Sequence, residues 1–209
     1  MQNALLPATI APVLEFLNAA GIAVFAASGA LLAAEKRRDI VTFIFFAVAT
    51  GVGGGTIRDI LLDAPVFWTL ENKTLLICCI AAIGVWLTPV RFWSGKALLW
   101  CDAIGLAAFA TYGAAKGMAY GIAPLPAFSM GVFTACMGGV IRDMLAGEPS
   151  ILMRSELYVT AAALASGLMV VLTLNGLPSY VSALVATVAG LSLRGMALVK
   201  GWELPTYRR

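Results

Sequence analysis

The chain has 209 residues, of which 61% are hydrophobic and only 12% are charged, and its mean hydropathy is +0.92. Soluble domains carry about 25% charged residues because their surfaces face water. This composition therefore excludes a soluble domain and indicates a protein embedded in lipid. The chain contains no histidine, which also excludes a Ser-His-Asp triad, a His-ligated metal and a histidine proton relay.

Cysteine spacing and net charge exclude further classes. The cysteines lie in apolar stretches without CxxC spacing, which is typical of small buried apolar residues and not of zinc ligands or a disulfide framework. The formal net charge is +3 and the only basic run is at residues 35–39, so no nucleic-acid partner is expected. No nucleophile–base pair, structural metal site or cofactor motif is present, so we do not expect an enzyme. The four cysteines are Cys78, Cys79, Cys101 and Cys136.

Seven apolar segments are predicted to be membrane-spanning helices, because each approaches the roughly 20 residues that a hydrocarbon core requires. The third is the shortest. We expect a single all-α transmembrane domain over residues 1–209, without a large soluble domain. In chain order the segments cover residues 12–34, 40–57 (or to 62 if the span tolerates the charges within it), 74–87, 97–115, 123–141, 157–174 and 178–199.

The distribution of basic residues predicts the topology. With the N-terminus outside, the outer loops hold Arg58, Lys73 and Lys116. The positive-inside rule then favours an outer N-terminus and a cytoplasmic C-terminus, in the cell inner (plasma) membrane. The inner loops and tail hold the other eleven: Lys36, Arg37, Arg38, Arg91, Lys96, Arg142, Arg154, Arg194, Lys200, Arg208 and Arg209.

An internal repeat is the most informative feature of the sequence. Shifting the chain by 84 positions aligns GGTIRDILLDAP at residues 54–65 with GGVIRDMLAGEP at residues 138–149. Over residues 19–65 the alignment has 16 identities in 47 positions. Each unit contains three spans, so the second must enter the bilayer with the opposite orientation. We predict an inverted three-plus-three repeat (about 12–90 and 97–174) with an extra seventh helix at 178–199, and a working site near the midplane.

Glycines within the second and fifth spans suggest broken helices. Glycine costs about 1 kcal/mol against alanine in a helix and permits a kink or an unwound turn. An unwound turn would expose carbonyl oxygens that can coordinate a cation. Close helix packing through small residues is the alternative. The glycines in question are Gly53, Gly54, Gly55, Gly138 and Gly139.

Two Arg–Asp pairs follow these glycines, Arg58–Asp59 and Arg142–Asp143. Charges at membrane depth usually face a partner or water. Neighbouring helical residues point about 100° apart, so we expect each side chain to meet another helix, such as one of the other copy, and not its own neighbour. Two ordinary loop charges at helix ends are the alternative.

The remaining polar side chains within spans are few. Five hydroxyl groups could line a polar path, although a lone Ser or Thr in a spanning helix commonly bonds its own backbone. Asp102 could attract cations or cap the fourth helix, and Lys116 could simply end that helix. The hydroxyl candidates are Ser28, Thr50, Tyr112, Ser129 and Thr134.

The duplicated GGGTIRD and GGVIRD motifs, each followed by a proline-containing turn, resemble the trimeric intracellular cation (TRIC) channel family in its short prokaryotic form. The resemblance covers residues 12–199. It implies a homotrimer in lipid, with a pore in each subunit lined by the kinked second and fifth helices. It also implies permeant potassium or sodium, a possible role for bound lipid, and no other cofactor.

On this pattern the five glycines are kink residues, and Arg58, Asp59, Arg142 and Asp143 are polar groups of the two vestibules. The second copy has Met137 where the first has Gly53, so its kink should be milder. A secondary transporter for a small zwitterion such as glycine is the alternative function, since Arg would suit its carboxylate and Asp its ammonium group.

Overall fold

The computed structural model describes residues 11–89, 93, 96–153 and 156–205. This part of the chain folds into seven α-helices, and the all-α architecture predicted from hydropathy is confirmed. Four of the basic residues used for the topology, Arg91, Arg154, Arg208 and Arg209, lie outside the described residues. The helices are α1 (Ala11–Glu35), α2 (Ile40–Leu61), α3 (Asn72–Leu87), α4 (Ala97–Ala119), α5 (Pro124–Ala146), α6 (Val159–Leu174) and α7 (Ser179–Lys200).

Helix lengths agree with membrane insertion. Five helices, namely α1, α2, α4, α5 and α7, are long and apolar enough to cross a bilayer. Helices α3 and α6 have only 16 residues each, or about 24 Å at 1.5 Å per residue. They occupy the same place in the two repeats, so the short third helix is a property of the repeat.

Two predicted helix ends, those of α4 and α5, lie too early in the chain. The structure supports the longer version of α2, extends α4 to Ala119 and extends α5 to Ala146. These extensions place Arg58, Lys116 and Arg142 within helices. The expected ends were at charged residues, but these charges are paired inside the protein and the helices continue through them.

The packing reproduces the predicted inverted repeat. Helix α1 packs against α2 and α3, and α4 packs against α5 and α6 in the equivalent way. The repeats meet through the like pairs α1–α4 and α2–α5, while α7 lies against α4 and α6. The correspondence extends to the loops, because the 3₁₀ turns Phe67–Thr69 and Ile151–Met153 are also 84 residues apart.

Aromatic and small side chains fill the interface between the repeats. The rings of Phe25 on α1 and Phe109 on α4 are stacked, with centroids 5.2 Å apart. Each ring covers a glycine of the other helix, Gly105 and Gly21 respectively, where an added Cβ would lie 2.7 Å or less from the ring. These four positions form two repeat-related pairs, so α1 and α4 contact each other through equivalent faces.

Candidate functional site

Helices α2 and α5 cross at the centre of the molecule with almost no space between their backbones. A Cβ added to Gly54 would lie 2.2 Å from the carbonyl oxygen of Thr134, and one added to Gly138 would lie 2.9 Å from that of Thr50. Gly54 and Gly138 are repeat-related, as are Thr50 and Thr134. The repeats therefore approach each other here through equivalent backbone surfaces that only glycine permits.

Both helices are continuous α-helix through their glycines. The unwound turns considered from the sequence are thus absent from α2 and α5, and the contacts of Gly54 and Gly138 agree with the packing alternative. Gly53 and Gly55 face the side chains of Ile141 and Phe67, and Gly139 faces the Tyr158 hydroxyl. A bend at these glycines, and their position along a pore, stay predictions.

The two Arg–Asp motifs have the same internal hydrogen bonds. Arg58 Nε donates to Asp59 Oδ1 at 2.8 Å, and Arg142 Nε donates to Asp143 Oδ1 at 2.9 Å. In each motif the second carboxylate oxygen accepts the backbone N–H that begins the following 3₁₀ turn, 3.0 and 2.9 Å away. The expectation that neighbouring Arg and Asp do not bond each other is wrong, because the long arginine side chain folds back along its own helix.

All four charged side chains are buried, with exposures of 1% for Arg58, 0% for Asp59, 2% for Arg142 and 7% for Asp143. They are not loop charges at helix ends. Because an unpaired charge in this environment is costly, each needs a partner. Helix α4 provides a further charged partner for each motif.

Lys116 of α4 pairs with the first motif, its Nζ 2.7 Å from Asp59 Oδ1. Asp102 of α4 pairs with the second, its Oδ1 2.7 Å from Arg142 Nη1. We name Arg58, Asp59 and Lys116 the outer cluster, and Asp102, Arg142 and Asp143 the inner cluster, after the predicted sides of the membrane.

Sequence reasoning missed both α4 partners. Asp102 lies in the second turn of α4 and is fully buried, so it does not cap the helix. Lys116 is 4% exposed and does more than end the helix. The available signal was the charge itself, since an ionisable residue within an apolar span normally has a partner. Which partner it has is decided only by folding.

Each arginine also contacts the opposite repeat, as expected. Arg142 Nη1 donates to Ser28 Oγ at 3.2 Å. The Arg58 guanidinium lies 4.8 Å from the ring centroid of Tyr112 and 5.6 Å from that of Phe67. Ser28 and Tyr112 are repeat-related, so both arginines reach across at the same position.

The other hydroxyl candidates mostly bond their own helices. The hydroxyls of Ser28, Ser129 and Thr134 donate to carbonyl oxygens three or four residues earlier, at 2.9, 3.2 and 2.6 Å. The Thr50 hydroxyl is buried beside Gly29 of α1 and has no hydrogen-bond partner among the described residues. A pore-lining role for these groups stays a prediction.

Helix α7 contacts residues that lie beside the inner cluster. Arg194 is 1% exposed, its Nη2 lies 2.6 Å from Glu156 Oε2, and its guanidinium lies 5.4 Å from the Tyr158 ring. Gly139 leaves room for the Tyr158 hydroxyl, which lies 2.7 Å from the position of a Cβ there, with Asp102 Oδ1 at 3.2 Å. The extra helix thus reaches the surroundings of the inner cluster through Tyr158.

Two cavities of about 440 Å³ lie at the two ends of this charged centre. They have repeat-related walls, since Phe67 lines the outer one and Ile151 the inner one. Arg142 and Asp143 line the inner cavity directly, and their role as vestibule groups stays a prediction. Arg58 and Asp59 are not among the lining residues of the outer cavity, and Arg58 contacts Phe67 and Tyr112, which are. Their role as vestibule groups also stays a prediction.

Among the described residues, the two cavities have no lining residue in common, and the α2–α5 crossing lies between the two clusters. The inner cavity also carries an ion pair between Lys36, which follows α1, and Glu148, which follows α5. The arrangement is a pair of cavities separated by close helix packing and buried ion pairs.

The same architecture occurs in a solved structure. The TRIC trimeric intracellular cation channel orthologue from Rhodobacter sphaeroides superimposes with a TM-score of 0.84, with 38% sequence identity and coverage of 91% of this chain and 99% of that one. The chain belongs to the TRIC family. The model of a family described as "Glycine transporter" also matches it, over residues 15–89 and 99–174. The chain belongs to this family as well, and each matched segment contains one three-helix repeat.

Bacterial membrane proteins are further relatives of this TRIC family member. A UPF0126 membrane protein of Vibrio cholerae is 38% identical over 200 residues, covering 93% of this chain and 82% of its own length. The UPF0126 inner membrane protein YadS of Escherichia coli is 38% identical over 159 residues, covering 70% of this chain and 72% of its own. The chain is thus a membrane protein whose structural neighbours are channels.

Proposed function

We propose that this protein is a passive, potassium-permeable channel for monovalent cations. The observation that carries the proposal is the likeness to a TRIC cation channel structure over nearly the full length of both chains. The proposed path joins the outer and inner cavities through the α2–α5 crossing, within one subunit. Gly53, Gly54 and Gly55 on α2, with Gly138 and Gly139 on α5, would line its narrowest part.

The buried ion pairs make arginine compatible with a cation path. An isolated arginine near the path would repel a cation, but each one here is paired with at least one carboxylate. The α2–α5 crossing is closely packed in this structure. Conduction along the proposed path would therefore require α2 and α5 to separate.

Assembly and location follow the same reasoning. We propose a homotrimer in the plasma membrane with an outer N-terminus and a cytoplasmic C-terminus. The channel orthologue from Rhodobacter sphaeroides is trimeric by its description, and YadS is an inner membrane protein. Many large apolar side chains are exposed on the isolated chain, including Val41, Ile80 and Leu184, which agrees with contacts to lipid or to neighbouring subunits.

The test is ion flux in proteoliposomes containing the purified full-length protein. With an outward potassium gradient, we expect potassium efflux and a membrane potential near the potassium equilibrium value, as measured with a voltage-sensitive dye. Protein-free liposomes are the negative control and liposomes with valinomycin the positive one. No flux from monodisperse, folded protein would refute the proposal.

A matched pair of variants tests the position of the path. Gly138→Leu places a side chain in the α2–α5 crossing, whereas Gly84→Leu on α3 has nothing within 4 Å of its added Cβ. We expect Gly138→Leu to lower the flux per folded protein and Gly84→Leu to leave it unchanged. Equal fluxes from the two variants would place the path elsewhere.

A transporter for a small zwitterion is the second candidate, since the matched family model is described as "Glycine transporter", although the structural neighbours are cation channels. The same liposomes distinguish the two functions. Saturable uptake of labelled glycine, lost in Arg142→Ala and accompanied by no potassium current, would support transport. Potassium flux without glycine uptake would support the channel.

A further inference from the structure

The two buried clusters carry opposite formal charges although near-identical motifs build them. The outer cluster contains two cations and one carboxylate, a formal charge of +1. The inner cluster contains one cation and two carboxylates, a formal charge of −1. The Arg–Asp motifs cancel within themselves, so the whole difference comes from Lys116 and Asp102.

Both of these residues belong to α4. They are fourteen positions apart, which corresponds to about 21 Å along a helix. Their repeat-related positions on α1 are Leu32 and Asn18, which are neutral. Helix α4 thus carries a positive charge towards one end of the path and a negative charge towards the other, and α1 carries no matching charges.

The charges at the cavity mouths do not compensate for this difference. Two glutamates and one lysine line each cavity, which gives both mouths the same formal charge of −1 among their lining residues. The neighbouring Arg194–Glu156 pair is neutral. The lining residues concerned are Glu15, Glu71 and Lys73 at the outer cavity, and Glu35, Lys36 and Glu148 at the inner one.

The Asp102 carboxylate of the inner cluster can also attract a cation. Asp102 Oδ1 binds Arg142, but its Oδ2 is buried without a hydrogen-bond partner in the described part of the chain. In contrast, Arg58 and Lys116 share the single carboxylate of Asp59, so the outer cluster keeps one positive charge in excess. The two ends therefore differ in the local potential that a permeating ion meets.

We propose that Asp102 and Lys116 make the channel rectify, so that cation current is larger from the inner cavity towards the outer one than in reverse. This inference rests on the proposed channel function. A fixed negative charge raises the local potassium concentration where ions enter from the inner side, and a fixed positive charge lowers it at the outer side. One charge about 10 Å from the ion changes that concentration roughly two-fold in water.

The test is the current–voltage relation of the full-length channel in excised patches of bacterial spheroplasts, where all copies share one orientation. A C-terminal reporter establishes that orientation independently. In symmetric 0.1 M KCl we expect the current leaving through the outer cavity to exceed the reverse current at equal voltage roughly four-fold, about two-fold for each of the two charges. In 1 M KCl, where the screening length falls to about 3 Å, the ratio should approach one.

The repeat supplies the variants, since each α4 charge can be replaced by its neutral counterpart from α1. Asp102→Asn and Lys116→Leu should each lower the current ratio roughly two-fold, which corresponds to one fixed charge. The double variant should conduct almost symmetrically. Lys116→Arg, which keeps the charge, and Lys200→Met, at the end of α7 and away from both cavity linings, should keep the wild-type ratio.

The wild-type measurement alone can overturn the inference, even if a variant does not fold. Three results with measurable currents would refute the inference and leave the channel function intact. They are equal currents in the two directions at 0.1 M KCl, a larger current towards the inner cavity, and a current ratio that does not change with salt. An electrically silent wild-type protein would instead refute the proposed function itself. Conducting single variants with the wild-type ratio would show that the asymmetry does not come from α4.

Discussion

The crossing of α2 and α5 permits a sharp test with two neighbouring glycines. Gly53 and Gly54 occupy the same helix and have the same intrinsic cost, so replacing either by alanine should gain about 1 kcal/mol of helix propensity. They differ in what the new methyl group meets. At Gly53 it approaches the terminal methyl of Ile141 at 2.4 Å, whereas at Gly54 it approaches the backbone oxygen of Thr134 at 2.2 Å.

The two overlaps are relieved at different cost. The Ile141 side chain can rotate, but the Thr134 oxygen belongs to the α5 backbone, and an ordinary contact of about 3.5 Å requires the helices to separate by about 1 Å. Overpacking that moves the backbone typically costs about 1–3 kcal/mol. The gain in helix propensity is the same for both variants and cancels in the comparison. Gly54→Ala should therefore be less stable than Gly53→Ala by about 1–3 kcal/mol. For a chain of this size, this corresponds to an unfolding midpoint that is lower by roughly 2–12 °C.

The assay is thermal unfolding of both purified variants in the same detergent, followed by tryptophan fluorescence and by the loss of monodisperse protein in gel filtration. Gly84→Ala on α3, with no atom within 4 Å of its added Cβ, controls for helix propensity alone and should match or exceed the wild-type midpoint. Equal midpoints for the Gly53 and Gly54 variants, or a lower one for Gly53→Ala, would refute the packing argument.

Three further predictions concern charges outside that crossing. Arg142→Met leaves two buried carboxylates without their cation, so the free energy of unfolding should fall by about 3–5 kcal/mol, and a loss below about 1 kcal/mol in thermal unfolding would contradict the pairing. The partly exposed Lys36–Glu148 pair, whose side chains are 33% and 40% exposed, should show a coupling energy below about 1 kcal/mol in a double-mutant cycle with glutamine. The Asp39 carboxylate caps α2, and the hydrogen bond from the Thr42 backbone lowers the pKa of Asp39 below its usual 3.8. Its stabilising effect is present above that usual value and declines as the pH falls through the lowered pKa, so the midpoint difference between Asp39→Ala and wild type should be larger at pH 7 than at pH 3.

Much of the fold follows from patterns that are local in the sequence. Apolar segments of spanning length locate all seven helices, and the repeat of 84 residues implies the inverted arrangement, since three spans per unit reverse the second copy. Errors arose where a charge was treated as a boundary. Arg142 and Lys116 lie inside α5 and α4 because partners from other helices neutralise them, and those partners are distant in sequence.

The sequence identified the Arg–Asp motifs of the candidate site but not how their side chains are arranged. The Arg–Asp motifs are central and buried, as duplicated charges inside a membrane protein suggest. Their internal hydrogen bond was not expected, because helix geometry describes where side chains leave the backbone but not how a long arginine folds back. The continuous helices at Gly54 and Gly138 were equally undecided, since glycine suits both a broken helix and a close crossing.

The sequence by itself determined the membrane environment, the number of helices and the duplicated charged motifs, because hydropathy and self-similarity require no knowledge of contacts. Only the tertiary structure decided that Lys116 joins one motif and Asp102 the other, so that two alike halves end in clusters of opposite formal charge. The physical reason is that a buried charge is stabilised by an opposite charge within about 3 Å. Which opposite charge lies that close depends on how α4 packs against α2 and α5.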